Sequence, residues 1–189
     1  MKKVYYYVIG SVALVSVAVG ATWIYAANGE VQNNNNVIEA TGSVHAKLSN
    51  RYEKIGAFID AIENANEAIL SFLNTIRDAR IAFAEAVEAQ NYVAAREEAD
   101  IIDASFTELV FTMEDNPASY QTVNLYAGFM AEFSASTNAV TYSIETFNSH
   151  VNIYNTFIQT FPNVIFLSNK TPYKIWALTN YNSTLPTFN

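Results

Sequence analysis

Leu48, Tyr52, Ile55, Ile59, Ile62, Asn66, Ile69, Leu73, Ile76, Arg80, Phe83 and Val87 recur at alternating steps of four and three residues. That spacing lays all of them along one stripe of a helix, the arrangement by which long helices pack along one another. Between Val44 and Ala89 there is no proline, and Gly56 is the only glycine. The pattern predicts one helix over 44–89, about 65 Å long at the rise of an α-helix. Asn66 and Arg80 stand where a seam favours apolar side chains. Buried there, each costs stability and fixes register or partner through hydrogen bonds; the competing reading is that they converge on a pocket.

Two further registers follow. Ala95, Ala99, Ile102, Phe106, Leu109 and Met113 predict a helix over 92–114, stopped by Asp115-Asn116-Pro117. Gln90-Asn91 is weak punctuation, so one bent element over 44–114 fits equally well. Leu125, Phe129, Phe133, Ser136, Val140, Ile144, Phe147, Val151, Tyr154, Ile158 and Phe161 predict a third helix over 118–160, ended by Pro162. Short connections force neighbouring helices to run in opposite directions. The expected fold class is all-α: an N-terminal transmembrane helix, then an antiparallel bundle of three to four long helices with coiled-coil-like packing. Heptads leave open whether the bundle closes within one chain or as a homo-oligomer.

The transmembrane expectation rests on Val4 to Ala27, which carries no charge. About twenty apolar residues cross a bilayer, and aromatic rings favour its two interfaces. Tyr5, Tyr6 and Tyr7 lie at one end of the run, Trp23 and Tyr25 at the other. A cleaved signal peptide has a shorter apolar core and a small residue where Tyr25 stands. The segment therefore reads as an uncleaved single-pass anchor. Lys2 and Lys3 before it, and Glu30 as the first charge after it, favour the N-terminus inside and the body outside.

The domain reading follows: an anchor over 1–27, a polar spacer over 28–36, a helical bundle over 37–162, and an irregular tail over 163–189. The spacer is suggested by Gly29 and four consecutive asparagines. Helix is expected to begin near Val37, with Thr41-Gly42-Ser43 as a candidate interruption. In the tail, Lys170, Tyr173, Lys174 and Trp176 suit either a lipid surface or the end of the bundle.

All 18 acidic residues fall between Glu30 and Pro162, against six of the ten lysines and arginines. Phosphate backbones and anionic lipid heads repel such a body, so a nucleic-acid partner is not expected. The chain has no cysteine, which excludes disulfides, thiolate catalysis and Cys-ligated metals. His45 and His150 share no metal-ligand spacing and read as seam or surface residues. Glu63 with Glu67, Glu85 with Glu88, and Glu97-Glu98 with Asp100 read as a solvated face. A di-iron bundle needs inward Glu-x-x-His units, and the sequence has none. No phosphate loop or nucleophile elbow is present. No catalytic residue, cofactor or metal is expected.

Phe147-Asn148 and Tyr154-Asn155 are aromatic–asparagine steps seven residues apart, followed by Phe161-Pro162. With the stretch from Leu48 to Ile59 and with Asp78-Ala79-Arg80, this order resembles the LemA family of bacterial membrane-associated helical proteins. Asn50 replaces a basic residue of the family pattern, Gly56 its proline, and Ser143-Ile144 its Ala-Arg pair. The resemblance implies one N-terminal anchor, long antiparallel helices and no established catalysis; it also allows a cytoplasmic body. It adds Arg51 to the candidate interaction or structural positions, alongside Asn66, Arg80, Asn148, Tyr154 and Asn155. Helix-interior asparagine has poor propensity, so Asn148 and Asn155 call for a bonding partner within the bundle or outside it.

Three functions compete at this point. The leading expectation is a non-enzymatic, membrane-anchored scaffold or protein-interaction module with an unknown protein partner. The alternative is a binding module for a small ligand or cell-envelope component, in a cleft between helices. An envelope hydrolase or metal enzyme ranks last.

Overall fold

The computed structural model describes residues 2–62, 70–115 and 123–177, and it is all-α among them. The elements are α1 (Lys2–Ile62), α2 (Leu70–Glu88), α3 (Tyr92–Glu114), α4 (Val123–Gln159) and the single-turn α5 (Asn163–Phe166). They form two compact units. One contains Met1–Thr41 and Thr146–Trp176; the other is built on Gly42–Glu145.

The Gly42–Glu145 unit is an up-down-up-down bundle. α2 runs back along α1: Arg77 lies 3.5 Å from Asp60, and the Phe83 ring stands edge-on to Tyr52 at 5.1 Å. α3 runs parallel to α1, with the Tyr52 hydroxyl donating to the Ala99 carbonyl at 3.3 Å and Phe58 meeting Phe106. α4 is antiparallel again, as Lys54 pairs with Glu132 at 2.9 Å and Phe58 stacks on Phe129 at 4.3 Å. Leu48, Ile55, Ile59, Leu73, Ile76, Ile102 and Leu109 are fully buried between the helices. Each such side chain contributes roughly 1.5–3 kcal/mol by leaving water.

This antiparallel return corrects the single helix expected over 44–89. The chain reverses between Ile62 and Leu70, while the heptad spacing carries across the reversal without a proline or glycine to mark it. Asn64 and Asn66, poor helix formers, are the only local sign of a break. Both lie outside the described residues.

The α2–α3 turn also closes without glycine. Gln90 adopts φ 55° in the left-handed region. The Asn91 N–H donates to the Ala86 carbonyl at 2.8 Å and the Gln90 N–H to that of Val87 at 3.0 Å. Those two bonds make a Schellman stop. Asn91 then caps α3 by accepting from the Ala94 N–H at 3.3 Å. A bent continuous helix over 44–114 is thereby excluded.

In the other unit, Val4–Ile9 and the apolar residues after them stay exposed along α1 up to Tyr25. This stretch is long and apolar enough to cross a membrane. The expected spacer over 28–36 is instead helical and packed. Ala26, Glu30, Val37, Ala40 and Thr41 are buried, extending the four-and-three register backwards from Val44. Glu30 is accommodated in this part of the seam because Tyr154 and Lys170 lie opposite it, and the Thr41 hydroxyl donates back to the Val37 carbonyl at 2.8 Å. Gly29 is needed there, since a Cβ would collide with the Phe157 ring.

Candidate functional site

The Thr146–Trp176 segment explains the two aromatic–asparagine steps. The Asn155 side chain donates from Nδ2 to the Tyr173 carbonyl at 2.9 Å, and its Oδ1 accepts from the Tyr173 N–H at 2.9 Å. The Asn148 side chain does the same to Trp176, at 2.9 and 2.7 Å. Each carboxamide thus closes a two-bond ring with the main chain of one tail residue.

The ring preceding each asparagine completes the grip. Tyr154 meets Tyr173 edge-on at 5.0 Å, and Phe147 meets Trp176 perpendicularly at 6.3 Å. Seven helical residues rise about 10.5 Å. Three extended residues span about 10 Å. The heptad on α4 and the three-residue step from Tyr173 to Trp176 are therefore commensurate, and the tail runs antiparallel to α4.

Tyr154 also anchors the tail to α1. Its hydroxyl donates to Glu30 Oε1 at 3.3 Å, and Lys170 Nζ pairs with the same oxygen at 3.0 Å. Burial is the main cause that pushes the Tyr154 phenol up to about 12; the nearby Glu30 carboxylate and its hydrogen bond add to the shift. The Tyr173 hydroxyl donates to Asn34 Oδ1 at 2.7 Å. Asn163 donates to the Phe157 carbonyl at 3.1 Å, satisfying an end group of α4.

Arg51 and Arg80 belong to the other unit. Arg51 forms a buried ion pair with Asp103 on α3, its guanidinium 4.5 Å from the centre of the Phe133 ring. Arg80 is half-buried, and its guanidinium occupies the space a Cβ on Gly56 would fill. Glycine at position 56 thus makes room for the arginine. Asn66 lies outside the described residues.

The five described positions therefore divide between the two units, with Asn148, Tyr154 and Asn155 forming one constellation. Sequence reasoning missed Glu30 and Asp103. Glu30 lay in the supposed spacer, although it falls four residues after Ala26 and seven before Val37. Asp103 adjoins the rung at Ile102, which was the available signal.

His45 is a buried seam residue, its ring 5.0 Å from Tyr92 and 6.2 Å from Phe83. Burial first, and the Arg96 charge second, lower its pKa from 6.5 to about 4. Between those values the unfolded chain binds the extra proton. The resulting stability is full above pH 6.5 and is lost as pH falls through 4. His45→Leu is expected to flatten the acid-side decline of the urea midpoint across that window; an unchanged decline would assign it to the carboxylates. Among the described residues, no group of three or more His, Asp or Glu is placed to hold a metal.

These features define an all-helical, membrane-associated protein with a tail strapped to its last long helix, its first helix being able to cross a membrane once. The chain belongs to the LemA family, whose profile matches residues 40–187. The match reaches past Pro162 and takes in the strapped tail. No curated protein and no solved structure matches the chain.

Proposed function

We propose that this protein is a non-enzymatic scaffold, anchored by α1, that presents its acidic helical surface to a protein partner on the outer side of the membrane. The observation that carries this reading is the use made of the paired polar groups. Arg51 is committed to Asp103, Tyr154 and Lys170 to Glu30, and both ladder asparagines to the tail. These groups hold the fold together, leaving the exposed surface as the recognition element. Asp78, Glu85, Glu88, Glu97 and Asp100 are exposed on α2 and α3. Such a surface suits a basic partner, steering its approach and disfavouring acidic ones.

The test combines topology with capture. Protease added outside intact cells is expected to digest the body of the full chain. Cross-linking in intact membranes is expected to capture a discrete protein set that is lost from a Glu85→Gln, Glu88→Gln, Glu97→Gln variant of unchanged helicity. Full protection of the body would reverse the orientation. Capture indifferent to the three substitutions would remove the acidic surface as the contact.

A further inference from the structure

Among the described rungs of the third register, Phe161 is the exposed one. α4 ends at Gln159, and the following corner through Pro162 and α5 turns Phe161 outward, leaving it 76% exposed. Ile165 on α5 is 62% exposed, and Val164 beside it is also exposed. From Phe161 to Phe166 the corner carries no charge. Scattered apolar residues on a surface are ordinary, but a contiguous uncharged group of large ones marks a contact.

Its height along α1 identifies the contact. Within this unit α4 runs antiparallel to α1, with Tyr154 on Glu30, and with the Phe157 ring 6.1 Å from that of Tyr25 and against Gly29. α4 continues in that direction at about 1.5 Å per residue as far as Gln159, where the corner begins. This brings the end of α4, from which Phe161 and α5 follow, level with Trp23 to Tyr25, where the apolar run of α1 ends and its own aromatic rings are exposed. Aromatic and aliphatic side chains at that depth favour the boundary between lipid headgroups and acyl chains. The geometry points to a second membrane contact: Phe161, Val164 and Ile165 seat in the interface of the bilayer that α1 crosses. The inference rests on α1 being inserted, and it gives the scaffold two points of attachment instead of one.

Because the chain has no cysteine, single probes can be placed without other changes. Phe161→Cys, Ile165→Cys, Asn152→Cys and Leu14→Cys would each carry an environment-sensitive fluorophore on the full chain in phosphatidylcholine vesicles. All four side chains are exposed, so these substitutions spare the core. Position 14 reports insertion of α1, and position 152 lies on the exposed side of α4, away from the corner. The expected result is quenching at 161 and 165 by lipids spin-labelled near the headgroup, at least about threefold stronger than at 152. Position 14 is expected to respond to lipids labelled deeper in the chain. If 14 is quenched while 161 and 165 remain as open to aqueous iodide as 152, the second contact is overturned and the anchor stands. Shielding at 161 and 165 that depends on protein-to-lipid ratio, without lipid quenching, would assign the corner to a second copy of the chain. Absence of quenching at 14 would remove the anchor and the inference together.

Discussion

Replacing Asp103 with alanine is expected to destabilise the Gly42–Glu145 unit by about 3–5 kcal/mol, because it strands a buried guanidinium. The side chains of Arg51 and Asp103 are only 5% and 3% exposed, so water cannot take over the charge that Asp103 balances. The Phe133 ring under Arg51 offers a cation–π contact, worth only about 0.5–2 kcal/mol. That cannot replace a carboxylate. The double variant Arg51→Met, Asp103→Leu removes both charges and is expected to retain most of the stability, since an apolar pair of similar volume carries no desolvation penalty. Urea denaturation in detergent, followed by far-ultraviolet circular dichroism, compares the three proteins. A loss below about 1 kcal/mol for Asp103→Ala would mean that the pair behaves as a solvated one. A double variant as unstable as the single one would locate the cost in packing instead of charge.

Asn155→Ala is expected to release the tail while leaving the bundle core intact. Each ladder asparagine contributes two hydrogen bonds to tail main chain. Such bonds are worth about 1 kcal/mol each. Losing one pair should therefore raise the local opening population, and the exchange rate of the Tyr173 amide hydrogen, by about 30-fold. Asn148→Ala should act likewise on the Trp176 amide. Asn155→Asp is the sharper variant: it keeps the shape and the acceptor but removes the donor to the Tyr173 carbonyl. Exchange followed by mass spectrometry separates these effects from global unfolding, because the amides of buried α3 residues should keep their protection. Equal acceleration in α3 and the tail would show that the asparagines support the whole fold.

The sequence made the all-helical fold legible because three apolar registers repeat at the helical heptad. Ala95, Ala99, Ile102, Phe106, Leu109 and Met113 are all buried, as their spacing requires. It hid the points where polar residues occupy seam positions. The register continues through Glu30 into the membrane-proximal part of α1, but polar residues there resemble a spacer until Tyr154, Lys170 and Tyr173 are seen opposite. The α1–α2 reversal was hidden for the converse reason: apolar spacing persisted where the backbone turned. Pairing across the chain is the missing information in both cases. The aromatic–asparagine steps were visible as a motif, but their object was not, because one-dimensional spacing on α4 says nothing of which segment lies along it.

The ladder behaves as a ruler rather than a lock. Its carboxamides touch main-chain groups that nearly every residue type carries, so the clamp is blind to the side chains at Lys174 and Ile175 between its rungs. It does measure distance: the interval from Tyr173 to Trp176 has to match two turns of α4. One added or deleted residue inside that interval puts a rung out of step, whereas length added outside it leaves the spacing of the two rungs unchanged. Tolerance to insertion in this tail is thus set by metre, and tolerance to substitution at Tyr173 and Trp176 by the two rings that face them.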